Sequence, residues 1–549
     1  METDKTKRTL IASIDQGTTS SRCIIFNKIG EIITCSQLEH KQLTPRPGYT
    51  EHDGREIMGA VLNCINRACE QLKDLGYDSS QVKTVGVTNQ RETIVFWDSV
   101  SGHPLCNAIV WHDTRTQSMI DKISKDEKIV SMIKDKTGLK VSAYFSASKI
   151  KWTLENNEQV KKAYDRKTLR MGTIDSWIIF NLTNGKVHAT DVSNASRTSL
   201  FNIHSLEWDE ELCHLFGLTN GPFPYLPKVM PSASNFGMID DPTCYLSGVN
   251  ICSCIGDQQS ALFGHLCFNP TDTKVTLGTG CFMLVNTGHM AVSSASGVLT
   301  TIGWQIDYYN PCTSESEEST TSVSKPQPVV YALEGSVAIG GAAVNWLRDK
   351  LRIITNPDET ESIARAVTDC GGVVFVPAFT GLFTPHWDST ARGVIVGLTS
   401  YTSRDHIVRA TLEGVCHCVR DVYTAVKADV LTERESMGGA VKEEDMFQFM
   451  SVDGGMTRNG FVCETLASFS DSRVARPKMV ECTALGAALL AGIAAGIYKD
   501  ESDVKDWLYS KGVCGERAVF DPIMTDEERK VEEERWIDAL ERSKGLAGK

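Results

Sequence analysis

Residues 12–24 read Ala-Ser-Ile-Asp-Gln-Gly-Thr-Thr-Ser-Ser-Arg-Cys-Ile, an apolar run that ends at Asp15, turns at Gly17 and restarts as a second apolar run. The pattern predicts a β-hairpin in which Gly17 supplies the positive φ that the turn requires. The hydroxyls and backbone amides of such a turn can bind an anion, and Asp15 can hold a divalent cation beside bound phosphates. Taken alone, however, this composition is more typical of a plain turn.

A second stretch repeats the pattern nearly half the chain downstream. Residues 273–288 read Thr-Lys-Val-Thr-Leu-Gly-Thr-Gly-Cys-Phe-Met-Leu-Val-Asn-Thr-Gly, which is again strand, Gly-Thr turn and strand. The chain has 549 residues, more than one hydrophobic core usually supports. Two similar halves, each with a Gly-Thr turn, therefore predict a nucleotide held in a cleft between two domains.

The composition excludes some classes of protein. Apolar residues make up 41% and charged residues 23%, as in ordinary globular enzymes, and the net charge of −13 argues against a nucleic acid partner. The 18 cysteines lie mostly in apolar segments of a chain too long to need disulfides, so we expect a reducing, cytoplasmic location. No signal peptide is evident, and residues 483–498, the longest apolar stretch, are shorter than the ~20 residues that span a bilayer. We expect a buried helix there and no transmembrane segment.

Strand and helix patterns alternate along most of the chain, which predicts an α/β fold. Residues 8–42 read as three strands with turns at Gly17 and Gly30, and residues 54–75 have helical spacing. Residues 312–328 are acidic and of low complexity, which predicts a surface insertion. Residues 526–542 read as a charged helix that caps the second domain.

Four further segments carry candidate chemistry. Asp257 follows a buried strand, where it is either a helix N-cap or a general base for an attacking hydroxyl. Arg91 and Glu92 are either an exposed ion pair or a pair that brackets a polyol. The glycine turns at residues 340–341 and 453–455 allow a nucleobase or ribose to approach the backbone closely.

Other nucleotide and metal motifs are missing from the sequence. There is no Gly-x-x-x-x-Gly-Lys-[Ser/Thr] segment and no Gly-x-Gly-x-x-Gly after a strand, so P-loop and simple Rossmann interpretations are weak. Cys416-His417-Cys418 has no second pair at zinc-finger spacing, and His417 lies in an apolar helical segment. We therefore expect His417 to pack in the core.

Eight segments, in order and spacing, resemble the FGGY carbohydrate kinase family over residues 8–500. They are residues 15–22 (Asp-Gln-Gly-Thr-Thr-Ser-Ser-Arg), 89–93 (Asn-Gln-Arg-Glu-Thr), 256–259 (Gly-Asp-Gln-Gln), 278–282 (Gly-Thr-Gly-Cys-Phe), 379–382 (Phe-Thr-Gly-Leu), 391–393 (Ala-Arg-Gly), 453–455 (Asp-Gly-Gly) and 481–487 (Glu-Cys-Thr-Ala-Leu-Gly-Ala). The Asn-Gln-Arg-Glu-Thr block is similar to the members of the family that phosphorylate glycerol rather than pentuloses.

The resemblance implies two ribonuclease-H-like (actin-type ATPase) domains with an inter-domain cleft. The N-terminal domain, residues 8–264, would bind glycerol and phosphate, and the C-terminal domain, residues 265–510, would bind the nucleotide; a helical tail would occupy residues 511–549. The implied activity is the ATP-dependent, Mg²⁺-assisted phosphorylation of glycerol to sn-glycerol 3-phosphate, which feeds lipid synthesis and glycolysis. We also expect a homo-oligomer, either a dimer or a tetramer.

Individual roles follow from the resemblance, position by position. Asp257 would be the general base and Asp15 would orient Mg²⁺. The residues expected to contact glycerol are Arg91, Glu92, Tyr144, Asp257 and Gln258, with Trp111 and Phe282 as apolar walls. The residues expected to bind ATP are Thr18, Thr19, Ser20, Arg22, Thr279, Gly341, Asn345, Gly455 and Asn459.

The chain departs from the family pattern at a few positions. Asn345 stands where many members have Gln, and residues 464–469 differ from the usual segment near the nucleotide domain. Two alternatives therefore remain beside glycerol phosphorylation: a kinase for another small polyol or ketose, and a catalytically silent relative that binds ATP or a partner. Arg91, Glu92, Tyr144 and Asp257 argue against the first alternative, and Asp15 and Asp257 argue against the second.

Overall fold

The protein is described from a computed structural model that covers residues 9–308, 328–436, 446–510 and 517–547. The predicted insertion at residues 312–328 lies outside these residues except for its last one, and so does the start of the predicted tail.

The strands are numbered along the chain. They are β1 Leu10–Gln16, β2 Ser20–Asn27, β3 Ile32–Glu39, β4 Glu51–His52, β5 Val82–Asn89, β6 Ile94–Asp98, β7 Ala108–Ile109, β8 Leu169–Thr173, β9 Ala189–Asp191, β10 Phe201–Asn202, β11 Glu207–Trp208, β12 Lys228–Met230, β13 Ile251–Gly256, β14 Thr273–Leu277, β15 Cys281–Gly288, β16 Leu299–Trp304, β17 Val330–Val337, β18 Val374–Val376, β19 Val394–Val396, β20 Phe449–Asp453, β21 Arg473–Pro477 and β22 Arg517–Phe520.

The α-helices are numbered in the same way. They are α1 Gly54–Asp74, α2 Gln117–Ile123, α3 Glu127–Thr137, α4 Ser146–Asn156, α5 Glu158–Asp165, α6 Ile174–Leu182, α7 Val192–Ala195, α8 Glu210–Leu215, α9 Asp257–Gly264, α10 Gly341–Trp346, α11 Thr360–Arg365, α12 Arg404–Ser436, α13 Gly460–Ser470, α14 Cys482–Ala494, α15 Glu501–Ser510 and α16 Asp526–Ser543. Short 3₁₀ turns lie at Ser79–Gln81, Pro357–Glu359 and Gly455–Arg458, and a π-helical turn lies at Leu347–Leu351.

The first half of the chain forms a five-stranded sheet in the order β13-β5-β1-β2-β3. Strands β1, β2 and β3 form an antiparallel meander, whereas β5 and β13 run parallel to β1. The predicted meander and the predicted helix that follows it are thus confirmed.

The prediction of a positive φ at Gly17 is wrong. Gly30 has a φ of 80°, but Gly17 does not lie in the left-handed region. Gln16 pairs with Ser21 across the hairpin, and the Gly17 N–H donates to the Ser20 carbonyl at 2.9 Å, so Thr18 and Thr19 are the central residues of the turn. The left-handed φ of a tight hairpin turn falls on its central residues, and Gly17 precedes them.

The second half contains a seven-stranded sheet in the order β16-β17-β15-β14-β20-β21-β22. Its five central strands repeat the first sheet, because β14, β15 and β17 form an antiparallel meander while β20 and β21 run parallel to β14. This duplicated topology confirms the α/β, ribonuclease-H-like fold of each half.

Two helices, α9 and α14, pack against each other and join the two sheets. A Cβ on Gly264 would lie 1.9 Å from the Cys482 carbonyl oxygen, and one on Gly486 would lie 1.9 Å from the Ser260 carbonyl oxygen. Helix α14 also packs on the first sheet, where a Cβ on Gly86 would lie 2.3 Å from the Ala487 oxygen. The small residues of this apolar stretch therefore allow the close packing that sets the position of α9.

Helix α16 lies against the second half. His417 is buried and stacks between Phe469 and Trp536, with ring centroids 4.1 and 4.8 Å away, which confirms that it packs in the core. In the described part of the chain, no helix combines the length and apolar character needed to cross a bilayer.

Candidate active site

Asp15 lies at the end of β1, next to the hairpin turn. Its Oδ2 accepts a hydrogen bond of 2.6 Å from Arg22, which donates a second one, also of 2.6 Å, to Glu481. Burial raises the pKa of Asp15 to about 6; Arg22 opposes the rise, and the negative charges of Asp257 and Glu481 add to it. Asp15, Asp257 and Glu481 together carry more negative charge than Arg22 neutralises. The surroundings of Asp15 therefore suit a cation.

Buried side-chain amides donate hydrogen bonds to the turn that follows Asp15. The Gly17 carbonyl accepts hydrogen bonds from Gln16 Nε2 at 2.7 Å and from Gln90 Nε2 at 3.2 Å. Within the turn, Thr18 Oγ1 accepts from Trp111 Nε1 at 3.0 Å, and Thr19 is exposed to solvent. Three of the predicted ATP-binding residues (Thr18, Thr19 and Ser20) therefore lie on one supported turn.

Asp257 is the first residue of α9. The N-cap is Gly256, so the interpretation of Asp257 as a simple N-cap is wrong. Its Oδ1 accepts from the Gln258 N–H at 2.7 Å and lies 3.0 Å from Arg91 Nε in an ion pair, and its side chain is 29% exposed. Among the described residues Oδ2 has no hydrogen bond. Burial raises the pKa of this carboxyl, and the positive charges of Arg91 and Lys274 oppose that rise.

Position 256 must be a glycine because the side chain of Arg91, which contacts Asp257, passes close to it. A Cβ at this position would lie 2.7 Å from Arg91 Cδ and 2.9 Å from Gln259 Oε1. The Arg91 guanidinium is held by several hydrogen bonds, so its stem cannot move aside freely. The glycine before the predicted base thus allows Arg91 to cross the end of β13.

Arg91 and Glu92 are 3% and 1% exposed, so their interpretation as an exposed ion pair is wrong. Each pairs with a residue distant in sequence. Arg91 donates to both oxygens of Glu334 at 2.6 and 2.8 Å, and Glu92 accepts from Arg197 Nε at 2.6 Å. Glu92 has a φ of 62°, a left-handed conformation that costs about 1–3 kcal/mol in a residue with a side chain.

Aromatic and amide groups complete this region. The rings of Trp111 and Tyr144 are 5.2 Å apart. Gln258, in the first turn of α9, accepts from Lys274 Nζ at 2.5 Å, and Lys274 also donates to Thr276 Oγ1 at 3.0 Å. Phe282 pairs with Thr276 across the β14–β15 hairpin, which places it next to this lysine.

A cavity of 620 Å³ lies in the second half. Five of the predicted ATP-binding residues line it: Thr279, Gly341, Asn345, Gly455 and Asn459. The N–H of Gly341 donates to the Gly278 carbonyl at 2.8 Å, which joins the second Gly-Thr turn to the start of α10. The structure thus brings these glycines and amides together around one space, and Arg22 and the first turn lie outside its lining.

Sequence reasoning missed several residues of this region, namely Arg197, Gln259, Lys274, Glu334 and Glu481. Each contacts a predicted site residue or joins two of them. One signal was present in the sequence, since Glu334 is a lone charge in the apolar stretch Val-Tyr-Ala-Leu-Glu-Gly of residues 330–335. A charged residue that is fully buried in a strand needs a partner.

Comparison with known proteins gives consistent results for the whole chain. Residues 10–264 match the N-terminal domain, and residues 273–495 the C-terminal domain, of the FGGY family of carbohydrate kinases. Glycerol kinase of Symbiobacterium thermophilum is 43% identical over 538 residues, which cover 98% of this chain and 99% of that protein.

Solved structures agree with these matches. The crystal structure of Plasmodium falciparum glycerol kinase with ADP superposes with a TM-score of 0.85 at 37% identity, covering 97% of this chain and 98% of that one. Ligand-bound xylulose kinase of Lactobacillus acidophilus superposes with a TM-score of 0.79 at 20% identity, covering 98% of both chains, and shows the shared fold.

Proposed function

The chain belongs to the FGGY family of carbohydrate kinases, and from this premise we propose that it transfers the terminal phosphoryl group of ATP to glycerol. The product is sn-glycerol 3-phosphate, which would enter lipid synthesis and glycolysis. The observation that carries the proposal is the contact of 3.0 Å between Asp257 and Arg91. It joins a carboxylate suited to act as a base to a residue suited to bind a polyol.

Asp257 is proposed as the general base. Arg91 and Gln258 occupy its Oδ1, so Oδ2 remains to accept the proton of the attacking hydroxyl. A carboxylate that removes this proton as the O–P bond forms makes the alcohol a better nucleophile. Asp15 would hold Mg²⁺, which neutralises charge on the phosphates when it is bound.

The three hydroxyls of glycerol need donors and acceptors, and its short carbon chain needs little apolar surface. Arg91, Glu92, Tyr144 and Gln258 are proposed to supply the polar contacts. Trp111 and Phe282 would cover the carbon chain. The adenosine would occupy the 620 Å³ cavity, with its phosphates on the two Gly-Thr turns and Arg22.

An assay of ADP release on glycerol, dihydroxyacetone and xylulose tests this function. We expect the highest kcat/KM with glycerol. A clear preference for dihydroxyacetone or xylulose would instead support a kinase for another small polyol or ketose. Failure to turn over any of the three, together with binding of ATP, would support a catalytically silent relative.

The pH dependence of the reaction tests the role of Asp257. Because burial raises the pKa of this carboxyl and the ionised form is the active base, kcat/KM should fall as the pH drops through a value above 3.8. Lys274 lowers the pKa of Asp257, so Lys274→Met should move this acidic limb to higher pH. The measurement is the pH profile of kcat/KM for glycerol.

Lys149→Met is the matched control for this change. Lys149 is also a buried lysine, but its Nζ donates to the carbonyls of Ala143 and Tyr144 at 2.6 and 2.7 Å. Lys149→Met should leave the acidic limb of the kcat/KM profile at the same pH as in the wild type, even if the rate itself changes. An unchanged limb in Lys274→Met would contradict the electrostatic role of Lys274.

The homo-oligomer and the cytoplasmic location remain predictions. Light scattering of the purified chain would measure the oligomeric state, and a monomer would contradict the first of them.

A further inference from the structure

Three ion pairs beside Asp257 join four buried charged side chains, here called the ring: Arg91, Glu334, Arg197 and Glu92. Arg91 donates to both oxygens of Glu334, Arg197 Nη2 lies 3.3 Å from Glu334 Oε1, and Arg197 Nε donates to Glu92 at 2.6 Å. The peptide bond between Arg91 and Glu92 closes the ring. The four side chains are at most 2% exposed.

We propose that Glu334 and Arg197 are positioning residues for the glycerol site, acting through Arg91 and Glu92. This inference rests on the proposed function. Neither residue is expected to touch the substrate itself. Glu334 would fix the plane of the Arg91 guanidinium, and Arg197 would fix the Glu92 carboxylate.

Counting donors shows what this arrangement leaves for a ligand. Of the five N–H groups of Arg91, those on Nη1 bond Glu334 and Gln259, one on Nη2 bonds Glu334, and Nε lies 3.0 Å from Asp257 in an ion pair. One N–H on Nη2 therefore remains. On Glu92, Oε1 accepts from Arg197, so Oε2 remains. The ring thus leaves a donor on Arg91 and an acceptor on Glu92, a combination that suits a polyol.

The ring is poorly explained by stability alone. Buried ion pairs usually contribute little net stability relative to well-packed apolar residues, because of the cost of desolvating the charges. This ring carries two further costs. Glu92 has a left-handed backbone, and Arg197 Nη1 is buried without a hydrogen-bond partner among the described residues. A ring kept at such cost is better explained by the precise placement of Arg91 and Glu92.

The members of the ring come from both halves of the chain. Arg91, Glu92 and Arg197 belong to the first half, whereas Glu334 lies on β17 in the sheet of the second half. Strand β17 pairs with β15, whose hairpin carries Thr279 of the nucleotide cavity. The proposed glycerol site is therefore complete only when the second half supplies Glu334.

The first test is Glu334→Gln, which keeps the shape of the side chain but removes its charge. A charge-assisted hydrogen bond that positions a ligand contact is worth roughly 10- to 100-fold in affinity, so the KM for glycerol should rise by about that factor. The KM for ATP should change less than about threefold, because a positioning role is confined to the glycerol site. Equal increases in both would overturn the proposal, and so would an unchanged KM for glycerol.

Glu413→Gln is the matched control. Glu413 accepts from Arg409 at 2.8 Å in the second half, away from the ring, so the same substitution there also breaks an arginine pair. The KM for glycerol should stay at the wild-type value in this variant. A similar rise in Glu413→Gln would show that the effect of Glu334→Gln is a general loss of structure, which would overturn the positioning role.

A double-mutant cycle asks whether Glu334 acts through Arg91. In an Arg91→Lys background, which loses the bidentate contact, Glu334→Gln should raise the KM for glycerol further by less than about threefold. Multiplication of the two single effects would mean that Glu334 acts independently of Arg91 and would overturn the proposal.

Glu334→Asp covers the case in which Glu334→Gln does not fold, because it keeps the charge and shortens the side chain. Calorimetry should then show weaker glycerol binding with unchanged ADP binding, and unchanged glycerol binding would overturn the inference. The proposed function and the positioning role can be refuted separately. A wild-type chain that does not phosphorylate glycerol refutes the proposed function and the inference with it. A wild-type chain that does so, with variants that match it, refutes only the positioning role.

Discussion

Asp257→Asn is expected to lower kcat for glycerol phosphorylation by about 10²–10⁴-fold, the contribution typical of a general base. The amide cannot take the proton of the attacking hydroxyl. Its oxygen can still accept from the Gln258 N–H and lie beside Arg91, as Oδ1 of Asp257 does, so the glycerol site should keep its shape. Stopped or steady-state assays measure kcat, and calorimetry measures glycerol affinity, which we expect to change only a few-fold.

The pH profile supplies a control for this variant. Any residual activity of Asp257→Asn should lack the acidic limb of the wild type, because the group that titrates has been removed. Near-normal turnover in Asp257→Asn would exclude it as the base. A loss of glycerol binding as large as the loss of kcat would instead mean that Asp257 mainly binds the substrate.

Asp15→Asn is expected to raise the Mg²⁺ concentration needed for half-maximal activity by at least about 10- to 100-fold. The amide removes the negative charge that would hold the cation, and it leaves Arg22 with Glu481 as its only acidic partner among the described residues. The measurement is the Mg²⁺ dependence of the rate at saturating ATP and glycerol. Glycerol affinity should not change.

The same carboxylate predicts how the Mg²⁺ requirement depends on pH. The pKa of Asp15 is about 6, so protons compete with the cation below that pH and the half-saturating concentration of Mg²⁺ should rise as the pH falls. Asp15→Asn should lose this dependence.

Asp113→Asn is the matched control for Asp15→Asn. Asp113 is also buried and pairs with Arg115 at 2.8 Å, yet it lies outside the proposed site. Its substitution should leave the Mg²⁺ requirement unchanged. An equal effect in both variants would contradict the assignment of Asp15 to the metal.

Much of the candidate site follows from short sequence patterns. Four features each follow a strand: the two Gly-Thr turns, the glycine turn after β20 and Asp257 after β13. The structure places the second Gly-Thr turn and the glycine turn around the cavity of the second half, and it places Asp257 at the start of α9. Such patterns are readable because alternation, turn residues and helix spacing depend on neighbours within a few positions. The resemblance then assigned roles to these residues, which remain predictions.

Other parts of the site depended on contacts that no local pattern encodes. Arg91 and Glu92 looked like a pair, yet each bonds a residue far along the chain, Glu334 and Arg197. Gly17 looked like a residue with positive φ, but it precedes the central turn residues Thr18 and Thr19 and does not adopt that conformation. The raised pKa values of Asp15 and Asp257 arise from burial between elements that lie apart in sequence.

The sequence by itself therefore determined the opening three-strand meander, the duplicated architecture and the family, since these depend on local preferences repeated in a fixed order. Only the tertiary structure decided which charges meet. Arg91 and Glu334 are 243 residues apart and come together because the first and second sheets are joined by the packing of α9 on α14. That packing removes both charges from water, and a buried charge is stable only beside its partner.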